Sequence, residues 1–362
     1  MSKKKICFIA QFPPPIHGLS KAVDTLYNSD LAEKFEFEKV DITNNKKFLS
    51  NIIKIWKSKA DLFYFTISQT KGGNLRDLII LKLLEKQGKK CLVHLHGGYY
   101  RQLIDKDLPK WQSRLNYRAV SKLAGVIVLG PSLRYIFQGM LTDERIYTVP
   151  NCVDDEYLMS DQEFENKIAT IKDRDIKHVL YLSNFIKSKG YPEVLKMAKY
   201  EKERVERGGK RKFHFDFAGK FFDKSEETFF WNYVKDNHID EYITFHGIVS
   251  GDKKRELLKK CDIFVLLTRY PKEGQPISIL EAMGNGMVIV TTDYAGISDQ
   301  VQDKVTGCVV SKDRIDVKEI YNYILEINNY STIDRNGVNI VNNQFSQSKY
   351  ISNMEKQFLK LL

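Results

Sequence analysis

The sequence predicts an α/β protein built from two doubly wound parallel-sheet units, and three observations carry that expectation. Short apolar runs alternate with amphipathic helical patterns through both halves, as strands wrapped by helices require. At 362 residues the chain exceeds the roughly 250–300 residues at which a single core stops growing. The segment Val149-Pro150-Asn151-Cys152-Val153-Asp154 closes one set of strands and leads into a polar, acidic stretch, 155–175, that lacks a strand pattern and reads as an interdomain linker.

Strands are expected near 5–10, 36–41, 61–67, 91–96, 125–129 and 146–149, then near 177–182, 213–218, 242–246, 262–267, 287–291 and 307–310. The domains are accordingly 1–155 and 156–344. A helix over 345–362 follows, with Tyr350, Ile351, Met354, Phe358, Leu361 and Leu362 close to helical spacing.

Apolar, aromatic and charged fractions of 43%, 12% and 28% are ordinary for a globular chain and argue against low-complexity disorder. The start, Lys3-Lys4-Lys5 and then Ile6 to Ala10, imitates a secretory leader, but its apolar stretch breaks at Gln11 and meets Pro13-Pro14-Pro15, so it reads as a first strand. No window approaches the ~18 apolar residues of a membrane span. Cys7, Cys91, Cys152, Cys261 and Cys308 are odd in number, scattered and mostly inside apolar runs, which fits reduced thiols in a cytoplasmic protein. Residues 1–155 hold 25 Lys and Arg against 15 Asp and Glu, while the remainder holds 32 against 31, so one half carries nearly all of the net charge of +11. A basic half suits an anionic partner: a membrane surface, a phosphorylated lipid or nucleic acid. Nucleic acid is the weakest of these, because the aromatics are scattered through strands and no binding motif is present.

The most informative segment runs from Arg269 to Gly286, directly after the apolar run Ile263 to Leu267. It predicts a buried strand, a turn carrying Glu273, and a short helix opened by Pro276 and carrying Glu281. Proline fits a helix start, so the amides of Ile277 and Ser278 are left free at a helix end that attracts anions. Carboxylates beside an anion site suit hydroxyl groups, so a sugar joined to a phosphate satisfies both halves.

Glu273 and Glu281, with seven residues between them and Ala-Met-x-x-Gly following, resemble the E-x7-E motif of retaining glycosyltransferase family 4 in the GT-B superfamily. The resemblance spans most of the chain. It implies two Rossmann-like domains facing a cleft, an N-terminal one for the acceptor and a C-terminal one for a nucleotide-diphosphate sugar, with the last helix crossing back to the first domain. Gly18, in the loop after the first strand, matches the family's glycine beside the donor diphosphate; the family's second glycine is absent. His96, before Gly97 and Gly98, matches a histidine near the transferred sugar, whereas His94 reads as a packed strand residue. Lys189 and Gly190 match a Lys-Gly pair that neutralises the leaving group; Asn184 stands where arginine is usual, and Lys187 is a substitute cation. Gly219 and Ile248 fall on the base-binding wall. Glu281 would hold ribose, while Glu273 and the amides of Gln275, Pro276, Ile277 and Ser278 would line the sugar pocket, Pro276 by position only since it lacks an N–H. This chain has Gly274-Gln275-Pro276 where the family often has Gly-Phe-Gly, and Cys152 where it has glycine.

His96, Lys189 and Glu273 are therefore the expected catalytic residues, acting by charge and positioning on transfer to a saccharide or lipid-diphosphate acceptor of bacterial surface polysaccharide. No cofactor and no metal are expected, since the family disperses charge with basic groups and helix ends; Asp105-Lys106-Asp107 and Asp173-Arg174-Asp175 read as solvated loops. A catalytically idle GT-B scaffold, which Asn184 would explain, and a basic nucleic-acid-binding protein remain as alternatives.

Lys46 to Lys59 reads as a basic amphipathic helix with Phe48, Ile52, Ile55 and Trp56 near one face, and Lys110-Trp111 through Arg114, Arg118 and Lys122 repeats the theme. Such helices suit the inner face of an anionic membrane. A helix covering the first sheet accounts for the apolar face equally well.

Overall fold

The computed structural model describes residues 3–14 and 18–362, so Pro15, Ile16 and His17 of the loop after the first strand lie outside the described residues. The chain divides into two units. Unit 1 comprises Met1–Cys152, Pro271–Gln275 and Gln347–Leu362; unit 2 comprises Val153–Tyr270 and Pro276–Ser346.

Unit 1 holds β1 (Lys5–Ala10), β2 (Glu36–Asp41), β3 (Leu62–Thr66), β4 (Cys91–His94), β5 (Gly125–Val128) and β6 (Ile146–Thr148). All pair in parallel, in the order β2-β1-β3-β4-β5-β6. Parallel strands are covered on both faces and need unbroken apolar runs, which is why Ile6 to Ala10 and Leu62 to Phe65 are fully buried. Phe8 packs its ring against Tyr27, Phe37 and Tyr64 at 4.8–5.3 Å between centroids.

The C-terminal helix Gln347–Leu361 completes this core. Tyr350, Met354 and Phe358, four residues apart, form one buried stripe. Phe358 meets Phe35, Phe8 and Tyr64 at 6.0–6.2 Å, and Glu355 pairs with Lys34 at 2.6 Å.

Unit 2 repeats the architecture with β7 (Lys177–Leu182), β8 (Phe213–Ala218), β9 (Ile243–Gly247), β10 (Ile263–Leu266), β11 (Val288–Thr292) and β12 (Gly307–Val310). Its order is β12-β11-β10-β7-β8-β9, again all parallel.

Three expectations need correction. The stretch 155–175 is no linker: Asp161–Thr170 is a helix of unit 2 with a Ser160/Glu163 capping box, with Phe164 and Ile168 buried along it and Ile171 just beyond its end. The unit boundary falls at Cys152/Val153, and Pro271–Gln275 belongs to unit 1, because the backbone N–H and side-chain amide of Asn151 donate to the Gln275 side chain and carbonyl at 2.7 and 2.9 Å. The last helix starts at Gln347, and Phe345 stays in the unit 2 core, its carbonyl accepting from Val153 N–H at 2.9 Å. Cys152, in the glycine position, is buried without needing a positive φ.

Phe358→Ala should destabilise unit 1 by about 3–5 kcal/mol, the usual cost of emptying a buried phenylalanine site. A denaturant titration showing no loss of stability would disprove the packing role of the last helix.

Candidate functional site

In unit 2, β7 pairs on one side with β8 and on the other with β10, so the loops leaving the carboxyl ends of β7 and β10 diverge from a topological switch point, where open α/β sheets bind ligands. Gly190 joins these loops. Its φ is +89°, and a Cβ there would lie 2.7 Å from the Leu267 carbonyl, so glycine alone fits. Arg269 N–H donates to the Ser188 carbonyl at 2.6 Å. Lys189 lies in the turn Lys187–Lys189, its ammonium 5.1 Å from the centre of the Tyr270 ring.

Lys187 shares that turn, but the two ammonium groups lie over different rings. Phe185 N–H donates to the Lys220 carbonyl at 2.9 Å, which draws this stretch toward β8. Asn184 is exposed and its carbonyl accepts from Tyr181, while the Lys187 ammonium sits 4.4 Å from the Phe229 ring.

The helix Ile277–Gly284 is the next element after β10, beyond the loop that carries Glu273. Pro276 is its N-cap residue at φ −63° and has no side chain that can cap, so the first-turn amides of Ile277 and Ser278 are left without an N-cap acceptor. One turn up, Glu281 is buried and pairs with Lys254 at 2.6 Å; the Lys254 ammonium also lies 4.1 Å from the Tyr157 ring. Burial raises the Glu281 pKa, and Lys254 opposes that shift. Lys254 and Tyr157 were not among the sequence candidates. Lys254 is one of four lysines in the helix Gly251–Lys260, and Tyr157 lies in the segment read as linker.

Gly219 follows β8 at φ +147°, where a Cβ would sit 1.9 Å from the Ser183 carbonyl, and its N–H donates to the Gly247 carbonyl at 2.7 Å. Beside it Ile248 is 72% exposed, leaving an apolar surface at the carboxyl end of β9.

Unit 1 holds the remaining candidates. Gly18 is the exposed first residue of the helix Gly18–Tyr27. His94 is fully buried, with Nδ1 2.8 Å from the Tyr64 hydroxyl and its ring 3.9 Å from that of His96; burial holds its pKa well below the ordinary imidazole value. The Glu273 turn lies against this segment: a Cβ on Gly274 would be 2.8 Å from the Gly97 Cα and 3.1 Å from the His96 carbonyl. Gln275 has its side-chain oxygen occupied by Asn151, so it clamps the turn, and its Nε2 has no partner among the described residues. His96, Glu273 and Gln275 thus share a unit, while Lys189, Pro276, Ile277, Ser278 and Glu281 share the other.

Of the aspartate triplets, Asp105 accepts from Arg101 and Tyr117, and Asp107 from Tyr99.

Two doubly wound parallel sheets of this kind make up the GT-B fold. Residues 161–336 match the family model of glycosyl transferases group 1, and that segment belongs to the family. A GDP-mannose:cellobiosyl-diphosphopolyprenol alpha-mannosyltransferase of Xanthomonas oryzae pv. oryzae is 22% identical over 230 residues, 63% of this chain. The match spans 56% of that relative's length. An N,N'-diacetylbacillosaminyl-diphospho-undecaprenol alpha-1,3-N-acetylgalactosaminyltransferase of Campylobacter jejuni is 39% identical over 72 residues, 20% of this chain and 19% of that one. Among solved structures, Anabaena HepE in complex with UDP superposes with a TM-score of 0.75 at 14% identity, covering 99% of this chain and 100% of that one.

Lys254→Met should leave Glu281 buried without its cation and cost about 3 kcal/mol at pH 8. A raised folded-state pKa stabilises the fold below the unfolded value and is lost as pH rises through the folded one, so the penalty should shrink toward pH 4.5. A melting difference independent of pH would reject the pair as an ionic contact.

Proposed function

We propose that this protein is a retaining glycosyltransferase that moves a sugar from a nucleotide-diphosphate donor to a saccharide or lipid-diphosphate-linked acceptor in bacterial surface polysaccharide synthesis. The observation that carries the reading is that the Lys189 turn follows β7 and the Ile277–Gly284 helix follows β10, the two neighbouring strands of the switch point, with the Glu281 carboxylate one turn up that helix.

The donor diphosphate is read as lying on the Ile277 and Ser278 amides with Lys189 beside it, so negative charge that grows as the sugar leaves is met by a cation and a helix dipole. Neither needs a metal, and turnover in EDTA is the expected result. Glu281, held by Lys254, accepts from ribose hydroxyls, and the exposed Ile248 offers apolar contact to the base. Glu273 and His96 position the sugar. Gly18 is a further diphosphate contact.

The relatives favour this class of donor without choosing the base: one is named for GDP-mannose, and HepE was solved with UDP. Both named bacterial relatives act on lipid-diphosphate saccharides, which supports such an acceptor here. None of the five cysteines is in a disulfide, which fits a reducing compartment, and we assign the protein to the cytoplasmic side of the plasma membrane.

Thermal unfolding against UDP, GDP, ADP and CDP and their sugar conjugates is the first test, since a ligand of the native state raises its stability. Stabilisation by one nucleotide series is expected; silence across the panel would reject the donor site. With the responsive donor, Glu281→Ala should weaken binding at least ~10-fold, and Lys189→Ala should lower kcat ~100-fold with little change in donor affinity.

A further inference from the structure

The helix Phe48–Lys57 has two apolar faces. The inward one is Ile55, buried, with Phe48 and Ile52 half-buried beside it and the polar Asn51 buried among them, its amide donating to the Asp41 carbonyl. The expected grouping of Phe48, Ile52, Ile55 and Trp56 is therefore split: Trp56 stands 64% exposed in an outward row with Leu49 at 77% and Ile53 at 50%, spaced i, i+4, i+7. The neighbouring helix Lys71–Lys86 adds exposed Leu75 and Ile79, and the helix Lys110–Ser121 adds exposed Trp111 and Leu115. Between the three helices runs an apolar groove of about 510 Å³, lined by Ile52, Leu75, Ile79, Leu83, Leu115 and Ala119.

We propose that this face of unit 1 docks on an anionic lipid bilayer, its apolar row entering the headgroup layer and its groove receiving a lipid chain. The reading deepens the proposed lipid-linked acceptor and rests on it for its purpose, though not for its physics.

Charge complementarity selects the occupant. Residues 46–59 contain five lysines and no acid, and residues 110–122 contain two lysines, two arginines and no acid. The one glutamate at the groove, Glu85, is neutralised by Lys82 at 2.8 Å. A rim of cations around an apolar centre with two tryptophans matches an anionic interface, because the long basic side chains reach phosphates while the indoles settle among headgroups. A second copy of this chain would bring the same cations against one another across a two-fold axis. No helix among the described residues is long and apolar enough to cross a membrane, so contact through this face would be peripheral.

The test is co-sedimentation of the full chain with phosphatidylcholine vesicles, with and without phosphatidylglycerol. Binding should require phosphatidylglycerol, weaken with salt, and shift the emission of Trp56 and Trp111 to the blue; a W56F/W111F variant, reporting Trp231 alone, should show no shift. Ile53→Asp combined with Ile79→Asp, both at exposed positions, should reduce vesicle binding at least ~10-fold while leaving the unfolding midpoint unchanged. No binding, or binding indifferent to these substitutions, would overturn the proposal. So would a dimer in vesicle-free solution that the aspartates convert to monomer, which would assign the face to a second copy. Nucleotide-induced stabilisation, read on the same samples, separates the two ideas: vesicle binding without it defeats the transferase reading alone, and the reverse defeats the docking face alone.

Discussion

Because β7 is hydrogen-bonded to β10 across more than eighty residues of sequence, the chain must leave the two neighbouring strands in opposite directions, and the space between the departing loops cannot be filled by either helix. Everything chemical in unit 2 hangs on that gap. Gly190 is glycine because the β10 loop passes within van der Waals reach; Lys189 is carried to the junction by the turn that Gly190 closes; and the Ile277–Gly284 helix begins where β10 has nowhere else to go. The pairing itself is held by Ile263 and Phe264 against Val179 and Leu180, all fully buried. Apolar burial at the sheet centre thus sets the position of charged groups at its edge.

A second constraint is the close approach of two glycines. Gly97 and Gly274 leave no room for side chains where the Glu273 turn meets the strand end carrying His96. The turn emerges from unit 2 and re-enters it after a few residues, yet its packing and its amide clamp to Asn151 are those of unit 1. The E-x7-E segment is therefore shared, its first glutamate in one unit and its second in the other.

Most strands were legible because buried parallel strands leave short apolar runs between turn signals, as in β1, β3 and β10; the edge strand β2, Glu36–Asp41, is charged and only partly buried. The helix Asp161–Thr170 was missed because only Phe164 and Ile168 mark its inner face amid charge, and Lys167 is buried beside them, its ammonium donating to the Asn285 carbonyl at 2.8 Å. Periodicity located the helix after Lys47 but could not say which apolar row was inward, since both rows have the same spacing. Pairings over long sequence separation, Gln275 with Asn151 and Glu281 with Lys254, carry no local signal. Lys189 and Gly190 were readable from their own segment, whereas the pairing of Phe185 with Lys220 and the placing of Lys187 against Glu226 and Phe229 depend on residues that no local pattern links to them.

The helix Gln347–Leu361 has a bearing on how the protein is made. Tyr350, Met354 and Phe358 fill the centre of a core whose other residues precede Val153. During synthesis the first unit to emerge therefore stays open, its aromatic interior wet, until unit 2 has been translated. In that interval Phe8, Phe35 and Tyr64 lack the Phe358 ring that covers them in the finished fold, so the completion of one unit waits on the synthesis of the other.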